Sequence, residues 1–206
     1  MKIMIAIPCM DQVATQFCTS LAMLRKVGDC IIASKQGSLI YAARDDLAKM
    51  AIKMDADYIL WLDSDMVFDP DILEKLLQDT EKGDIISGLY FRRAAPFSPV
   101  LFDKLELVDD KPVHTEFSEI PEDVFEVGGI GFGCVLMPTD VLLGVALKFG
   151  QMFTPFCGMG EDIAFSWRAR QCGFKIVCDP KIKLGHVGHI IITEDFYKQY
   201  KGGFSK

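Results

Sequence analysis

The sequence lacks the features that mark membrane and secreted proteins. No uninterrupted apolar run reaches the length of about 18 residues that a membrane-spanning helix needs. The longest apolar stretch, 127–147, contains several glycines, Pro138 and Asp140. The apolar run near the start, 3–7, is too short for the hydrophobic region of a signal peptide. We therefore expect a cytoplasmic protein without a transmembrane segment.

The cysteines lack the spacing of a zinc site or a disulfide framework. There are 7 of them, an odd number, and no two are separated by the two residues of a zinc knuckle. Disulfide frameworks belong mainly to small secreted domains, and this chain of 206 residues is not small. We expect reduced cysteines that are mostly buried.

Glycine, proline and positive charge are also scarce. The 17 glycines and 9 prolines exclude collagen-like and low-complexity chains. Lysine and arginine number 22 against 29 aspartates and glutamates, so the net charge is −7. An acidic chain is a poor partner for nucleic acid, and we expect none. If it binds a nucleoside diphosphate, a divalent cation is the expected source of neutralising charge.

The first 90 residues alternate between strand and helix patterns. Short apolar runs predict strands at 3–7, 30–33, 58–62 and 84–88. Helical spacing of apolar residues predicts helices at 12–26, 39–54 and 70–82. Strands separated by helices of this length indicate βαβ units, an α/β fold and a parallel sheet.

The second half has a different pattern. An acidic stretch of strands and loops, 103–126, precedes the glycine-rich apolar segment 127–137. Helices are predicted at 140–149 and 160–172, with Gly173 just past the end of the second. A strand at 174–178 follows, and residues 193–206 are expected to form a short helix and a tail.

The sharpest motif is Asp63-Ser64-Asp65, which directly follows the apolar strand 58–62. Residues two apart in extended chain point to the same side, so the two carboxylates converge. They follow the carboxyl end of a predicted parallel strand, where α/β folds bind their ligands. Hard oxygen ligands of this kind suit Mg²⁺ or Mn²⁺. The alternative is a solvated turn, because Asp and Ser favour turns.

Arg44 lies on the helix that leads into the same strand. Its planar guanidinium can hold a phosphate or a base carbonyl near the carboxyl edge of the sheet. The alternative is a surface arginine paired with its neighbours Asp45 or Asp46.

Two later segments carry further candidates. Glu161 and Asp162 open a helix, where they can serve in acid–base chemistry or merely complement the helix dipole. The dipole favours the charged form, so we expect a lowered pKa for Asp162. His186 and His189 follow a strand and can complete a carboxylate–metal site, although a lone histidine is more often structural.

In this order, the motifs resemble those of the GT-A-fold glycosyltransferases, particularly the family 2-like enzymes. The resemblance covers residues 2–190, and the segments that carry it are Pro8, Ala43-Arg44-Asp45, Asp63-Ser64-Asp65, the glycine-rich segment, Gly160-Glu161-Asp162 and Gly185-His186-Val187-Gly188. It implies a single GT-A (nucleotide-diphospho-sugar transferase) domain over 1–192, with a mostly parallel central sheet flanked by helices. Within it, 1–100 would form the nucleotide-sugar-binding half and 101–192 the acceptor and metal-completing half. Residues 193–206 would form the C-terminal helix and tail.

The resemblance also implies a metal site. Asp65 would be the stronger ligand of Mn²⁺ or Mg²⁺, and Asp63 would face both the ribose and the metal. His186 would complete the metal shell in preference to His189, because the family's histidine is usually followed by x-Gly.

By the same resemblance, Asp162 would be the catalytic base, with Glu161 beside it. The nucleotide would contact Pro8, Met10, Gln36, Arg44 and Ser64. Asp45 stands where the family usually has Asn, so this chain departs from the pattern beside Arg44.

These implications predict a metal-dependent glycosyltransferase that moves a sugar from a UDP- or GDP-linked donor to the hydroxyl of an unidentified acceptor. One alternative is a Mg²⁺-dependent phosphatase of the haloacid dehalogenase type, which also places Asp-x-Asp after an apolar strand. The other is a non-catalytic sugar-nucleotide-binding protein.

Overall fold

A computed structural model describes residues 1–94 and 96–188 of the chain. Its helices are α1 Thr15–Met23, α2 Ile40–Lys53, α3 Ile72–Gln78, α4 Thr139–Phe149 and α5 Glu161–Gln171. Its strands are β1 Lys2–Cys9, β2 Asp29–Gln36, β3 Tyr58–Leu62, β4 Met66–Val67, β5 Ile85–Leu89, β6 Leu101–Phe102, β7 Lys104–Val108, β8 Lys111–Thr115, β9 Phe125–Glu126, β10 Gly129–Ile130, β11 Cys134–Pro138, β12 Ile176–Lys183 and β13 Gly185–His186. Of the helices in these two ranges, none has the length and apolar character needed to cross a membrane.

Seven strands form the central sheet in the order β2-β1-β3-β11-β5-β12-β9. β1 pairs in parallel with β2 and β3, and β5 pairs in parallel with β12. β11 is antiparallel to both β3 and β5, and β9 is antiparallel to β12. The other five strands therefore run in one direction, which confirms the predicted α/β fold with a mostly parallel sheet.

The sheet separates two apolar cores. In β1, Met4 packs in the core that contains α2, α4 and α5, whereas Ile3 and Ile5 pack in the core that contains α1 and α3. In β3, Trp61 packs in the first of these cores and Leu60 packs in the second. Since successive side chains of a strand point to opposite faces, a strand covered on both faces must be apolar throughout. This explains the continuous apolar runs in the sequence.

Three elements differ clearly from the sequence-based expectation. The strand predicted at 174–178 spans Ile176–Lys183, because its pairing with β5 continues to Lys183. α3 ends at Gln78 rather than near Lys82, because turn hydrogen bonds replace the helical ones: the Thr80 N–H donates to the Leu77 carbonyl at 3.4 Å, and the Lys82 N–H to that of Asp79 at 2.9 Å. The glycine-rich segment was expected to continue to residue 137, but Cys134–Pro138 forms the central strand β11. That strand begins where the glycines end, and Val135, Leu136 and Met137 are fully buried.

The central sheet combines strands from both predicted halves, because β9, β11 and β12 come from 101–192 and the others from 1–100. The assignment of separate roles to these halves stays a prediction. The predicted helix and tail at 193–206 lie outside the described residues.

The cysteines are free thiols, as expected, but the prediction that most are buried is wrong. Only Cys134 and Cys178, in central strands, are buried, while Cys18 is exposed and the other four are partly exposed. The presence of a cysteine does not by itself predict a buried position, since the other cysteines belong to helix surfaces, a sheet edge and loops.

At three positions of the glycine-rich segment, neighbouring atoms lie so close to the backbone that they leave no room for a side chain. A Cβ at Gly128 would lie 2.7 Å from the Leu105 backbone nitrogen, and one at Gly131 would lie 2.3 Å from Tyr90 Oη. Gly133 is similarly close to the Tyr90 ring, and its N–H donates to Tyr90 Oη at 3.0 Å. Because side chains are excluded at these positions, the segment can pass between β7 and the end of β5.

We predict that Gly128→Ala lowers the free energy of unfolding by about 1–3 kcal/mol, the usual result of overpacking. The atoms that the new methyl group would meet belong to the backbone and cannot rotate away. Gly37→Ala is the matched control, since a Cβ at Gly37 meets nothing within 4 Å. Urea denaturation of both variants tests the explanation, and equal losses would contradict it.

Candidate functional site

A cavity of about 710 Å³ opens at the edge of the sheet where β1 and β3 end. Its walls come from the segments after these two strands, from α2, from the first residue of α5 and from 186–188. The predicted site residues that line it are Pro8, Met10, Arg44, Asp63, Ser64, Asp65, Glu161 and His186. Gln36 and Asp162 are not part of its lining. The topology therefore brings together most of the residues predicted to act at one site.

Arg44 connects three elements at the floor of this cavity. Its side chain, on α2, is 3% exposed, and its Nη2 donates to Asp63 Oδ1 at 2.8 Å. Its Nε lies 3.7 Å from Glu161 Oε1 at the start of α5. The guanidinium also lies 5.3 Å from the ring centre of Phe132 and 5.7 Å from that of Trp61. Arg44 thus joins α2, the end of β3 and the start of α5.

The alternative of a surface pair between Arg44 and its neighbours is wrong. Asp45 Oδ1 instead accepts a hydrogen bond from the Phe153 backbone N–H at 3.0 Å, and Asp46 pairs with Lys35 at 2.9 Å. A helix with 3.6 residues per turn directs three consecutive side chains to different sides, so only Arg44 faces the end of β3.

Burial and neighbouring charges have opposite effects on the pKa values of Asp63 and Arg44. Burial raises the pKa of Asp63, and the adjacent Arg44 guanidinium opposes this rise without cancelling it. Burial lowers the pKa of Arg44, but the carboxylates of Asp63 and Glu161 outweigh burial and raise it. Arg44 therefore stays charged, which a buried cation does only beside anions.

Asp65 and His186 meet at the wall of the cavity. β13 pairs antiparallel with β4, which places His186 opposite Met66, and the Val187 N–H donates to the Asp65 carbonyl at 2.8 Å. The imidazole Nε2 lies 3.4 Å from Asp65 Oδ2. This two-stranded pairing explains why a histidine 121 positions later in the chain joins the Asp-x-Asp motif.

The His186 ring is held by its other nitrogen. Nδ1 lies 2.9 Å from the carbonyl oxygen of Phe91, and a carbonyl only accepts, so Nδ1 carries the proton. The hydrogen bond to Asp65 raises the pKa of His186, despite partial burial. Partial burial raises the pKa of Asp65, but His186 and Arg93 together outweigh it and lower this pKa. Asp65 therefore carries a full negative charge at neutral pH.

This arrangement fits a divalent cation in its chemistry. A histidine that binds metal ordinarily donates its remote N–H to a carbonyl or carboxylate, as His186 does to Phe91. Asp65 adds a charged oxygen ligand of the kind that Mg²⁺ and Mn²⁺ prefer. Within 1–94 and 96–188, however, no three His, Cys, Asp or Glu side chains are grouped closely enough to form a metal site. His189 lies outside the described residues.

Asp162 differs from the prediction in its electrostatics. Burial, with a further contribution from Glu161, raises its pKa to about 6, whereas the helix N-terminus had suggested a lowered pKa. Asp162 Oδ1 accepts a hydrogen bond from the Ile163 N–H at 2.7 Å, but this favourable contact does not compensate for the loss of water. Desolvation thus outweighs the helix terminus at this position.

Arg93 is the site residue that the sequence analysis missed. It follows β5 by four residues, contacts Asp65 Oδ2 through Nη1 and lines the cavity. Its position in the sequence could have indicated this. Arg93 follows β5, which runs in the same direction as β3, so the carboxyl ends of both strands lie at the same edge of the sheet.

No protein-family model matches the sequence, and no curated protein matches it. Solved structures do match. A197 from STIV has a TM-score of 0.60 and 19% identity, over 94% of this chain and 97% of that one. GalNAc-T7, crystallised with UDP, GalNAc and Mn²⁺, has a TM-score of 0.63 and 9% identity, over 92% of this chain. This chain spans 44% of GalNAc-T7, and the likeness shows that it has a GT-A-like fold.

We predict that Arg44→Met lowers the free energy of unfolding by about 1–3 kcal/mol, because the partly buried carboxylates of Asp63 and Glu161 lose their shared positive partner. Arg25→Met is the matched control: Arg25 also pairs with a carboxylate, Glu74 at 2.8 Å, but its side chain is 54% exposed, so its loss should be much smaller. Adding Asp63→Asn to Arg44→Met should recover part of the loss. Chemical denaturation measures all three variants, and similar losses for Arg44→Met and Arg25→Met would contradict the role of the buried pair.

Proposed function

We propose that this protein is a metal-dependent glycosyltransferase that moves a sugar from a nucleotide-diphosphate donor to an acceptor hydroxyl. The observation that carries the proposal is that Asp63 and the Asp65–His186 pair line one cavity of about 710 Å³ at the carboxyl edge of a GT-A-like sheet. A cavity of this volume is large enough for a small-molecule ligand or cofactor.

The charge of the cavity supports a cation-bridged donor. Asp11, Asp63, Asp65 and Glu161 line it, so a diphosphate entering alone would face carboxylates. Asp65 and His186 would hold Mn²⁺ or Mg²⁺, with Asp63 as a further oxygen ligand. When bound, the ion would supply Lewis-acid stabilisation of the diphosphate leaving group. GalNAc-T7 was crystallised with UDP and Mn²⁺, which supports the same pair of ligands here, with GDP as the other candidate nucleotide.

The nucleoside would lie against the segments that follow β1 and β3. Pro8 and Met10 line this part of the cavity, and Ser64 connects its two sides, because the Ala14 N–H donates to the Ser64 carbonyl at 2.9 Å. Arg44 lines the cavity and would offer its positive charge to the nucleotide, while its Nε and Nη1 are buried and Nε lies 3.7 Å from Glu161 Oε1. Gln36 lies outside the lining, and its proposed contact rests on the family resemblance alone.

Asp162 is proposed as the base that accepts the proton of the acceptor hydroxyl. With a pKa of about 6 it is mainly ionised at neutral pH and close to the operating pH, which is favourable for proton transfer. Glu161 faces the donor cavity and lies near Arg44, so its proposed role is to support the Arg44–Asp63 pair beside the base.

The phosphatase alternative is not favoured by the GT-A-like fold. Its nucleophile would be Asp63, yet Arg44 holds Asp63 Oδ1 at 2.8 Å. Incubation with Mn²⁺ and a panel of nucleotide sugars separates the candidate functions. Nucleotide release indicates a transferase, phosphate release from monoesters indicates a phosphatase, and binding without turnover indicates a non-catalytic protein.

We predict that UDP or GDP binds weakly in EDTA and at least tenfold more tightly with Mn²⁺, as measured by calorimetry. Asp65→Asn and His186→Ala should each remove most of this gain, because each removes one proposed ligand. His114→Ala is the control, since His114 lies in β8, packs on Phe102 of β6 and is not part of the cavity lining. Equal affinity with and without metal would contradict the cation bridge. A larger effect of His189→Ala than of His186→Ala would indicate that His189 is the metal ligand.

We predict that Asp162→Asn lowers kcat by about 10²-fold or more, the usual effect of losing a general base, while nucleotide affinity stays unchanged. In the unmodified protein, kcat should fall as the pH decreases through about 6, because the protonated carboxyl cannot accept a proton. Glu161→Gln should have a milder effect on kcat, and its pH dependence should shift to lower pH, because Glu161 helps to raise the pKa of Asp162. Turnover that survives in Asp162→Asn would exclude Asp162 as the base, and calorimetry at each pH verifies that the nucleotide is still bound.

A further inference from the structure

Arg93 occupies the side of Asp65 on which a metal ion would be expected. Its Nη1 contacts Asp65 Oδ2, the same oxygen that lies 3.4 Å from His186 Nε2. The Arg93 side chain is 56% exposed and the Asp65 side chain 24%, so water reaches the pair. An ion pair of this kind is weak and screened, which makes it easy to replace.

The loop that carries Arg93 also orients His186. Phe91 forms a bridge with Pro99, and the Arg92 N–H donates to the Ser98 carbonyl at 2.9 Å, so the base of the loop is held. The Phe91 carbonyl accepts the His186 Nδ1 proton at 2.9 Å. One loop thus fixes the imidazole and, two residues later, places a competing cation on the carboxylate beside it.

A guanidinium and a divalent ion cannot both use this oxygen. Each seeks the Asp65 Oδ2 face that His186 Nε2 also approaches, and two cations in contact there would repel each other strongly. Arg93 must therefore leave Asp65 Oδ2 when a metal ion binds to this oxygen.

A polyanionic ligand in the cavity would give Arg93 a new partner that is more highly charged than a single carboxylate. Of the described residues that line the cavity, the basic ones are Arg44, Arg93 and His186. Arg44 is buried and paired with Asp63, and His186 is held by Phe91. Arg93 is thus the exposed cation at the cavity, and its planar fork matches two phosphate oxygens.

We propose that Arg93 is a displaceable internal cation: it pairs with Asp65 in the metal-free protein, yields this carboxylate to the divalent ion, and then binds the diphosphate of the donor. The inference rests on the proposed function for the identity of the donor. It adds a competition for Asp65, so that empty protein binds metal weakly while metal and nucleotide strengthen each other's binding.

The test compares Arg93→Ala with Arg92→Ala, a matched control that removes the same charge from the adjacent residue, which does not line the cavity. Titration of metal-free protein with Mn²⁺ alone, followed by electron paramagnetic resonance, should show about 2- to 5-fold tighter binding for Arg93→Ala than for Arg92→Ala. Calorimetry with UDP at saturating Mn²⁺ should show binding about tenfold weaker for Arg93→Ala, with partial recovery in Arg93→Lys.

Two results would overturn the inference: Mn²⁺ affinity that is equal in the two alanine variants or absent from both, or UDP affinity that Arg93→Ala leaves unchanged. Failure of the proposed function has a different signature, namely absent nucleotide-sugar turnover in the unmodified protein. The Mn²⁺ titration contains no nucleotide, so its result is independent of that turnover. Circular dichroism of each variant verifies that a change in affinity does not reflect unfolding.

Discussion

The buried guanidinium of Arg44 is the interaction on which the site depends. A cation at this depth is tolerated only because Asp63, Glu161 and two aromatic rings surround it. Those partners come from the end of β3, the start of α5 and the core on one side of the sheet. Satisfying one charge therefore fixes three elements relative to one another, and with them the first carboxylate of the Asp-x-Asp motif.

The elements that the sequence predicted best are those whose pattern is set locally. The strand at 58–62 was predicted with its observed bounds because a continuous apolar run ends at Asp63. The strand Cys134–Pro138 was missed because its place between β3 and β5 depends on partners distant in the chain. The same holds for the pairing of Gly185–His186 with Met66–Val67, since a two-residue strand has too little pattern to be recognised.

The site residues differ in the same way: those in local motifs were predicted, and one that depends on distant contacts was missed. Asp63, Asp65, Arg44 and His186 were chosen from motifs, and the fold places them around one cavity. Arg93 was missed because its place after a strand indicates only the edge of the sheet, whereas its contact with Asp65 depends on a loop that folds back toward His186. The direction of the Asp162 pKa shift was predicted wrongly because the helix terminus can be inferred from sequence, whereas the depth of burial depends on the packed structure.

The open edge of the central sheet has a consequence for association between chains. β2 is the outermost strand, and in the described part of the chain its eight residues pair with β1 alone. Its apolar stretch, with Ile32 42% exposed, lies between Asp29 and the Lys35 that pairs with Asp46. Charges at the ends of an exposed strand oppose its extension by a strand from another molecule. Protection of this edge against pairing with a second molecule thus depends on the few surface charges of Asp29, Lys35 and Asp46.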